Sequence, residues 1–136
     1  MEISTATHVN RDVVVLWCEA IASLEAHRGG TAFLTELSAG RTSNDVLEQF
    51  IASRGLLVAQ LDGAVVGFLA WRDAIIEGVY VRSEHRRTGI ARALVTHLCA
   101  TSTPPRDAHV LPGDRGMKSL FESFAWKARL ITMRGE

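Results

Sequence analysis

The sequence has no surplus of charge of either sign. Lysine plus arginine and aspartate plus glutamate each number 15 among the 136 residues, so the formal net charge at pH 7 is zero. Proteins that are drawn to nucleic acid or to an anionic membrane usually carry a basic excess. The balance therefore disfavours both partners, and any phosphate binding must depend on a local group of cations.

Long apolar runs and a secretory leader are also absent. No run approaches the roughly 20 apolar residues of a membrane-spanning helix, and the first residues lack a basic stretch followed by an apolar core and a cleavage site. Cys18 and Cys99, the two cysteines, have no C-x-x-C spacing and no histidine cluster nearby, so we expect buried free thiols rather than a disulfide or a metal site. These absences predict a cytoplasmic protein without a metal ion.

Proline is rare, with only three residues, whereas 47% of the residues are hydrophobic. This composition excludes a disordered chain and a disulfide-stapled mini-protein, and it is sufficient for a real hydrophobic core. A chain of this length fits one domain, so residues 1–136 are predicted to fold as a single domain.

Three helices are predicted from N-capping residues that precede apolar residues at helical spacing. Asn10 caps the first helix, which the Gly29-Gly30 pair is expected to end. Thr42 caps the second, and Asp114 caps the last.

The clearest β-hairpin consists of residues 56–61 and 64–71, joined by Asp62-Gly63, a pair suited to a type I′ turn. Both strands are apolar on both faces, which is typical of a central sheet covered by helices on both sides. Shorter apolar runs predict further strands at residues 2–8, 74–81, 108–111 and 127–133. Because residues 89–100 are predicted to form a helix between two of these strands, those two should be parallel. The fold class is therefore α/β with a mixed central sheet.

Two common phosphate motifs, G-x-G-x-x-G and G-x-x-x-x-G-K-S/T, do not occur. A different anion site is predicted where the strand at 74–81 runs into the helix at 89–100 through Arg86-x-x-Gly89-x-Ala91. The first turn of a helix leaves backbone N–H groups unpaired and carries partial positive charge, which suits a pyrophosphate. Gly89 and Ala91 keep the main chain accessible to such a ligand. Further cations lie in the same segment at Arg82, Arg87 and Arg92.

This turn, which follows Val79-Tyr80-Val81, resembles the acyl-CoA signature of the GNAT superfamily of N-acyltransferases, Q/R-x-x-G-x-G/A after an L-x-V strand. The order of elements is similar along nearly the whole chain. The family usually has two strands after the last helix, however, and this chain has room for one. The resemblance thus implies a GNAT-like sheet with a shortened C-terminal strand region and an exposed edge that a second subunit could cover, giving a homodimer.

The resemblance also implies a reaction. Acetyl-CoA, or another short acyl-CoA, would donate its acyl group to a primary amine on an unidentified small molecule or protein. By position, the main chain of Val79, Tyr80 and Val81 would pair with pantetheine. The residues of the turn would hold the pyrophosphate, namely Arg86, Arg87, Thr88, Gly89, Ile90 and Ala91.

Two residues are candidates for the base that takes the ammonium proton. Glu77 lies on the strand at 74–81, and strict alternation places it on the face of Val79 and Val81, opposite Tyr80; many family members have an acid there. His109 lies on the next strand, and imidazole titrates near neutral pH. Each also has a structural interpretation, as a solvated strand-end carboxylate or as a histidine satisfied within the sheet.

Two positions depart from the family pattern. Counted from His109, the resemblance implies an asparagine that contacts CoA where this chain has Asp114, and a tyrosine that protonates the departing thiolate where it has Phe121. Asp114 keeps an acceptor toward CoA but is equally explained as a helix cap, and Phe121 has no proton to give. A non-catalytic acyl-CoA-binding regulatory module therefore stays open as an alternative function. An acyltransferase directed at tRNA or ribosomes would need a basic face, which the net charge disfavours.

Overall fold

A computed structural model of the chain describes residues 1–135. Its strands are β1 (Glu2–Thr5), β2 (Leu56–Leu61), β3 (Ala64–Arg72), β4 (Ile75–Val81) and β5 (Asp107–Ala108). Its helices are α1 (Arg11–Glu25), α2 (Gly30–Ser38), α3 (Ser43–Ala52), α4 (Ile90–Thr101) and α5 (Arg115–Glu122).

The five strands form one sheet in the order β1-β2-β3-β4-β5. The first four are antiparallel to their neighbours, and β5 is parallel to β4. The parallel pair follows from the connection, since α4 returns the chain to the end of the sheet at which β4 began. The predicted mixed sheet is confirmed.

Helices cover both faces of the sheet. The first core lies between the sheet and α1, α2 and α3, and the second core lies between the sheet and α4 and α5. Successive side chains of β2 point to opposite faces and so contribute to both cores. Leu56 and Val58 belong to the first core, and Leu57 and Ala59 belong to the second. This arrangement explains why the central strands are apolar on both faces.

The predicted caps form as the sequence indicated. Asn10 accepts a hydrogen bond from the Val13 N–H at 2.9 Å, and Thr42 accepts one from the Asp45 N–H at 3.2 Å. Such caps typically stabilise a helix by about 1 kcal/mol. Each therefore fixes where its helix begins.

The hairpin turn also has the predicted geometry. Leu61 pairs with Ala64, which leaves a two-residue loop. Asp62 and Gly63 both have positive φ, at 52° and 82°. A type I′ turn requires this combination, and it matches the twist of the flanking strands.

The helix α2 is absent from the sequence prediction. The Gly29-Gly30 pair was expected to end the first helix, but α1 ends at Glu25 and Gly30 begins α2. A Cβ atom on Gly30 would lie 1.9 Å from the Leu24 carbonyl oxygen. The glycine therefore allows two helices to approach closely, a role that its sequence context does not distinguish from termination.

The prediction of a final strand at residues 127–133 is wrong, because residues 126–135 have no regular secondary structure. Two other strands are shorter than predicted, β1 ending at Thr5 and β5 comprising Asp107–Ala108. A strand needs a paired backbone edge, and the two residues of β5 offer very little of one. Leu130, Ile131 and Met133 consequently lie exposed.

Cys18 and Cys99 are both free, on α1 and α4 respectively. Cys18 is exposed, so its expected burial is wrong; it lies on the solvent side of α1, whose neighbouring Leu16 and Trp17 take the buried positions. None of the helices within residues 1–135 has both the length and the apolar character needed to cross a membrane.

Candidate functional site

Strand β4 contains one residue more than β3 at Glu77. Ala70 pairs with Gly78 and Trp71 pairs with Ile76, so Glu77 has no partner of its own. Such a β-bulge shifts the alternation of side chains by one residue. Residues that a period of two would place on opposite faces therefore share a face.

The bulge directs Glu77 toward the first core. Val79 and Val81 belong to the second core, whereas Tyr80 packs against the first. Glu77 pairs with Arg72, whose guanidinium lies over an aromatic ring of the first core. The prediction that Glu77 shares a face with Val79 and Val81, opposite Tyr80, is therefore wrong, because it assumed an uninterrupted period of two.

The bulge also brings the two candidate bases together. The His109 N–H of the main chain donates to the Ile76 carbonyl at 2.9 Å, which holds the histidine beside the bulge. His109 Nδ1 is hydrogen-bonded to Glu77 Oε1. The Glu77 side chain is 10% exposed and that of His109 is 53% exposed. A mostly buried carboxylate thus holds an accessible imidazole.

The orientation of this pair determines what it can do. A carboxylate is an acceptor, so His109 Nδ1–H donates to it, and a neutral ring then has its lone pair on Nε2. Phe33 of α2 meets the His109 ring edge to face, with centroids 6.1 Å apart. The imidazole is therefore held by Glu77 and Phe33, with Nε2 available as a proton acceptor.

The outer edge of β4 is open beyond the bulge. β5 pairs with β4 only at Ile75 and Ile76. The Arg82 N–H donates to a β3 carbonyl at 2.8 Å, and the alternation of an antiparallel ladder then directs the N–H groups of Val79 and Val81 away from β3. These two groups face the space where β5 has left the sheet.

Tyr80 contributes differently from its neighbours. It pairs with Phe68, so its main chain faces β3 rather than the open edge. Arg86 connects this part of the strand to the following turn, since its Nε donates to the Val81 carbonyl at 3.0 Å and its Cζ lies 5.4 Å from the Tyr80 ring centroid. Of the three strand residues predicted to pair with a ligand, only Val79 and Val81 direct an N–H group outward.

The turn before α4 leaves its main chain accessible. Gly89 is the N-cap of α4, with φ of 85° and no side-chain cap, and a Cβ atom there would have no atom of a residue other than Gly89 and its two chain neighbours within 4 Å. The Ala93 N–H donates to the Gly89 carbonyl, so the N–H groups of Ile90 and Ala91 precede the first helical bond. An anion can approach these donors without meeting a side chain.

The arginines predicted around this turn do not all contribute free charge. Arg82 pairs with Glu19 at 3.5 Å and with Glu84 at 4.0 Å. Arg92 donates to Ser123 Oγ at 2.5 Å and lies over the ring of a phenylalanine in the α5 region. Glu19 and Glu84 therefore offset part of the charge of Arg82, whereas the contacts of Arg92 are with neutral groups and leave its charge in place.

Asp114 and Phe121 both have structural roles. Asp114 caps α5 by accepting a hydrogen bond from the Met117 N–H at 3.2 Å. Phe121 is 4% exposed in the second core and stacks on Trp126, with ring centroids 5.1 Å apart and planes inclined by 17°. Packing alone accounts for the phenylalanine at this position.

The sequence profile of the acetyltransferase (GNAT) family matches residues 31–123. The chain belongs to the GNAT acetyltransferase family. The matched region runs from α2 through α5 and contains Glu77, His109 and the turn at Gly89, and the resemblance stated from the sequence is confirmed. The search of curated protein sequences gives no match.

Solved structures share the GNAT fold over nearly the whole chain. A ribosomal-protein-alanine N-acetyltransferase from Brucella melitensis biovar Abortus 2308 has a TM-score of 0.61 at 20% identity, covering 99% of this chain and 100% of that one. A protein from Pyrococcus horikoshii OT3 has a TM-score of 0.71 at 15% identity, covering 97% and 92%. The diaminobutyrate acetyltransferase EctA from Paenibacillus lautus, in complex with L-2,4-diaminobutyric acid and coenzyme A, has a TM-score of 0.55 at 23% identity, covering 91% and 75%. Similarity at these identities shows the fold alone.

Two side chains at the candidate site, those of Phe33 and Arg72, were not predicted from the sequence. Phe33 lies in a segment with no predicted helix, although its spacing of four residues from Leu37 is typical of one helix face. Arg72 ends a strand and could not be distinguished from a solvated arginine. Within residues 1–135, no group of three or more His, Cys, Asp or Glu side chains is arranged to hold a metal ion.

Proposed function

We propose that the protein is an N-acyltransferase that moves an acetyl group, or another short acyl group, from acyl-CoA to a primary amine, and that residues 1–136 form one acyl-CoA-binding domain. The observation that carries the proposal is the position of the Glu77–His109 pair, at the point where β5 leaves β4. A proton acceptor there borders the open strand edge on which the thioester would lie.

Acyl-CoA would bind along β4 and at the start of α4. The N–H groups of Val79 and Val81 supply donors for the pantetheine arm, in the manner of an added strand. The turn supplies donors for the pyrophosphate through Arg86, Arg87, Thr88, Gly89, Ile90 and Ala91. The empty space beside Gly89 supports this assignment. A CoA contact at Asp114 stays a prediction of the resemblance, since the bond to Met117 accounts for this residue without a ligand.

In the proposed reaction the amine nitrogen attacks the thioester carbonyl carbon, the C–S bond breaks, and CoA leaves as its thiolate. The proton lost by the amine passes to His109 Nε2. Glu77 accepts the Nδ1–H, which fixes the ring orientation and stabilises the imidazolium that forms. We assign the base to His109 because its ring is accessible, whereas the carboxylate is mostly buried between Arg72 and the histidine.

The departing thiolate needs little help. A thiol has a reference pKa of about 8.5, so its anion is a fair leaving group near neutral pH. Phe121 cannot donate a proton, and its burial against Trp126 makes a role in packing sufficient. The reaction as proposed therefore uses no protein acid at this step.

The rival function is a non-catalytic acyl-CoA-binding regulatory module, which the phenylalanine at position 121 favours. Calorimetry with acetyl-CoA, followed by a thiol-release assay against a panel of amines, separates the two. An acyltransferase gives an acetylated product that mass spectrometry identifies. Tight acetyl-CoA binding with no product from any amine would reject the enzyme in favour of the module.

We further propose a cytoplasmic location and a homodimer. Two free cysteines fit a reducing compartment. The exposed apolar side chains of Leu130, Ile131 and Met133 support a contact with a second copy. Light scattering on the eluting protein tests this, and a monomeric mass at high micromolar concentration would reject the dimer. We propose no nucleic acid or membrane partner, because the net charge is zero.

A further inference from the structure

We propose that Arg72 binds a carboxylate of the acceptor, so that the acceptor is an amino acid or another small amine that carries a carboxylate close to the reacting nitrogen. The proposal rests on the proposed function and names the substrate class of the same site.

Arg72 is the last residue of β3, and its side chain lies on the same face of the sheet as Glu77. Its Nε is 3.8 Å from Glu77 Oε2, and its Cζ is 5.3 Å from the centroid of the Phe50 ring. Phe50 is almost completely buried in the first core. The guanidinium is therefore held over a fixed aromatic ring beside the candidate catalytic pair.

The nitrogen atoms of the Arg72 guanidinium donate no hydrogen bond to any residue in the described range 1–135. A separation of 3.8 Å is too long for a hydrogen bond, so the contact with Glu77 is electrostatic only. No nitrogen of the Arg72 side chain has a hydrogen-bond partner within residues 1–135, although the side chain is only 33% exposed. Arg86 and Arg106, in contrast, each donate to main-chain carbonyls. Arg72 thus presents a planar fork of donors with no acceptor, the geometry that a carboxylate fills.

Glu77 lies between the two side chains that would contact the two ends of the proposed substrate. One oxygen of its carboxylate faces Arg72 and the other accepts from His109. The proton acceptor and the cation therefore lie on either side of a single carboxylate group. A molecule whose amine and carboxylate are a few bonds apart can contact His109 Nε2 and the Arg72 fork together.

The charges of the site agree with this substrate class. Arg72 and Glu77 carry opposite charges, so this pair is balanced before a substrate binds. A zwitterion preserves that balance, because its carboxylate meets the arginine while its amine meets the histidine. A simple amine would enter as a cation and bring no acceptor for the guanidinium, whose donors would then stay without a hydrogen bond.

The test compares each amino acid with its primary amide, which keeps size and removes the charge. Rates of acetyl-CoA-dependent thiol release are measured for glycine, alanine, leucine, phenylalanine and lysine and for the five amides. We expect the wild type to prefer at least one acid over its amide by roughly 10- to 100-fold in kcat/KM, as for loss of a charged hydrogen-bonded pair. Arg72→Met should bring that ratio close to one, and Arg72→Lys should give an intermediate ratio because it keeps the charge and loses the fork.

Arg11→Met, the same substitution at an exposed arginine on α1, is the matched control and should leave the ratio at the wild-type value. Thermal unfolding of each variant checks that the Phe50 contact has not been lost with the fold. Equal rates for acids and amides in the wild type would overturn the proposal while leaving the acyltransferase function intact. An equal fall for acids and amides in Arg72→Met would overturn it too, since the arginine would then only position Glu77.

A second measurement decides the matter if none of these acids or amides is acetylated, whereas the proposed function itself is rejected only when no amine of the wider panel gives a product. Calorimetry on protein saturated with CoA compares the binding of the same acids and amides without requiring turnover. Tighter binding of an acid than of its amide, lost in Arg72→Met, supports the carboxylate site. Binding of none of the acids more tightly than its amide rejects it.

Discussion

The imidazole of His109 donates its Nδ1–H to the carboxylate of Glu77, so two residues that sequence leaves as rival bases form one hydrogen-bonded pair. The two residues therefore need not be alternatives and can have different roles. In the proposed reaction the exposed ring takes the proton, and the buried acid fixes the ring. This division makes different predictions for the two residues.

His109→Gln should lower kcat by roughly 10²- to 10⁴-fold and remove the ascending limb of the kcat/KM profile against pH, because the proton acceptor is gone. Glu77→Gln should lower kcat less and keep the limb, because the proton acceptor at His109 is retained. Initial rates from pH 5 to 9 measure both effects. His8→Gln, at an exposed histidine away from the site, is the control. A limb that survives in His109→Gln and vanishes in Glu77→Gln would assign the base to Glu77.

Gly89→Arg should weaken acetyl-CoA binding at least tenfold, or by about 1.4 kcal/mol, because the side chain would occupy the space through which an anion reaches the main chain. Gly40→Arg is a matched control, since Gly40 also has positive φ and, apart from its chain neighbours, no residue within 4 Å of a Cβ position. Both variants bear similar backbone strain, so calorimetry isolates the effect of position. Equal acetyl-CoA affinity in the two folded variants would remove the turn from the binding site.

Phe121→Ala should lower the free energy of unfolding by about 3–5 kcal/mol, because it removes a buried ring that stacks on Trp126. Phe124→Ala should cost less, since Phe124 is only partly buried. Urea titration followed by tryptophan fluorescence measures both. A loss below about 1 kcal/mol would contradict a packing role for Phe121. A role near the departing thiolate, as the family resemblance implies for this position, would then be the one to test.

Gly30→Ala should destabilise the protein by about 1–3 kcal/mol, because the added Cβ would lie 1.9 Å from the Leu24 carbonyl oxygen and force α1 and α2 apart. Gly116→Ala in α5 makes no such contact, and it should be neutral or stabilising by about 0.5–1 kcal/mol. Thermal melting of the two variants gives the comparison. Equal melting temperatures would show that the junction between α1 and α2 tolerates a side chain.

Local signals in the sequence were sufficient for much of the fold. The caps at Asn10 and Thr42 and the Asp62-Gly63 turn depend on interactions within a few residues, and each forms as predicted. The strand–turn–helix at Gly89 is similarly local, and it carried the family resemblance.

Features that depend on distant parts of the chain could not be predicted in this way. A bulge at Glu77 is visible only in the register against β3, and no residue type at that position requires it. The failure at residues 127–133 has a similar cause, since apolar composition favours a strand only when a partner edge exists. A functional role for Arg72 is indicated only by its position beside Glu77 and Phe50, which the sequence does not show.

The extra residue in β4 divides the strand into two parts that have different neighbours. Before it, the strand is an ordinary member of the sheet; after it, the outer edge is free while Glu77 points to the opposite core from Val79 and Val81. Deleting Gly78 would restore continuous pairing and place Glu77 opposite Ala70, within the regular ladder. A single codon in this strand thus sets whether the acid lies outside the regular pairing, and the length of β4 is as much a part of the site as the residues on it.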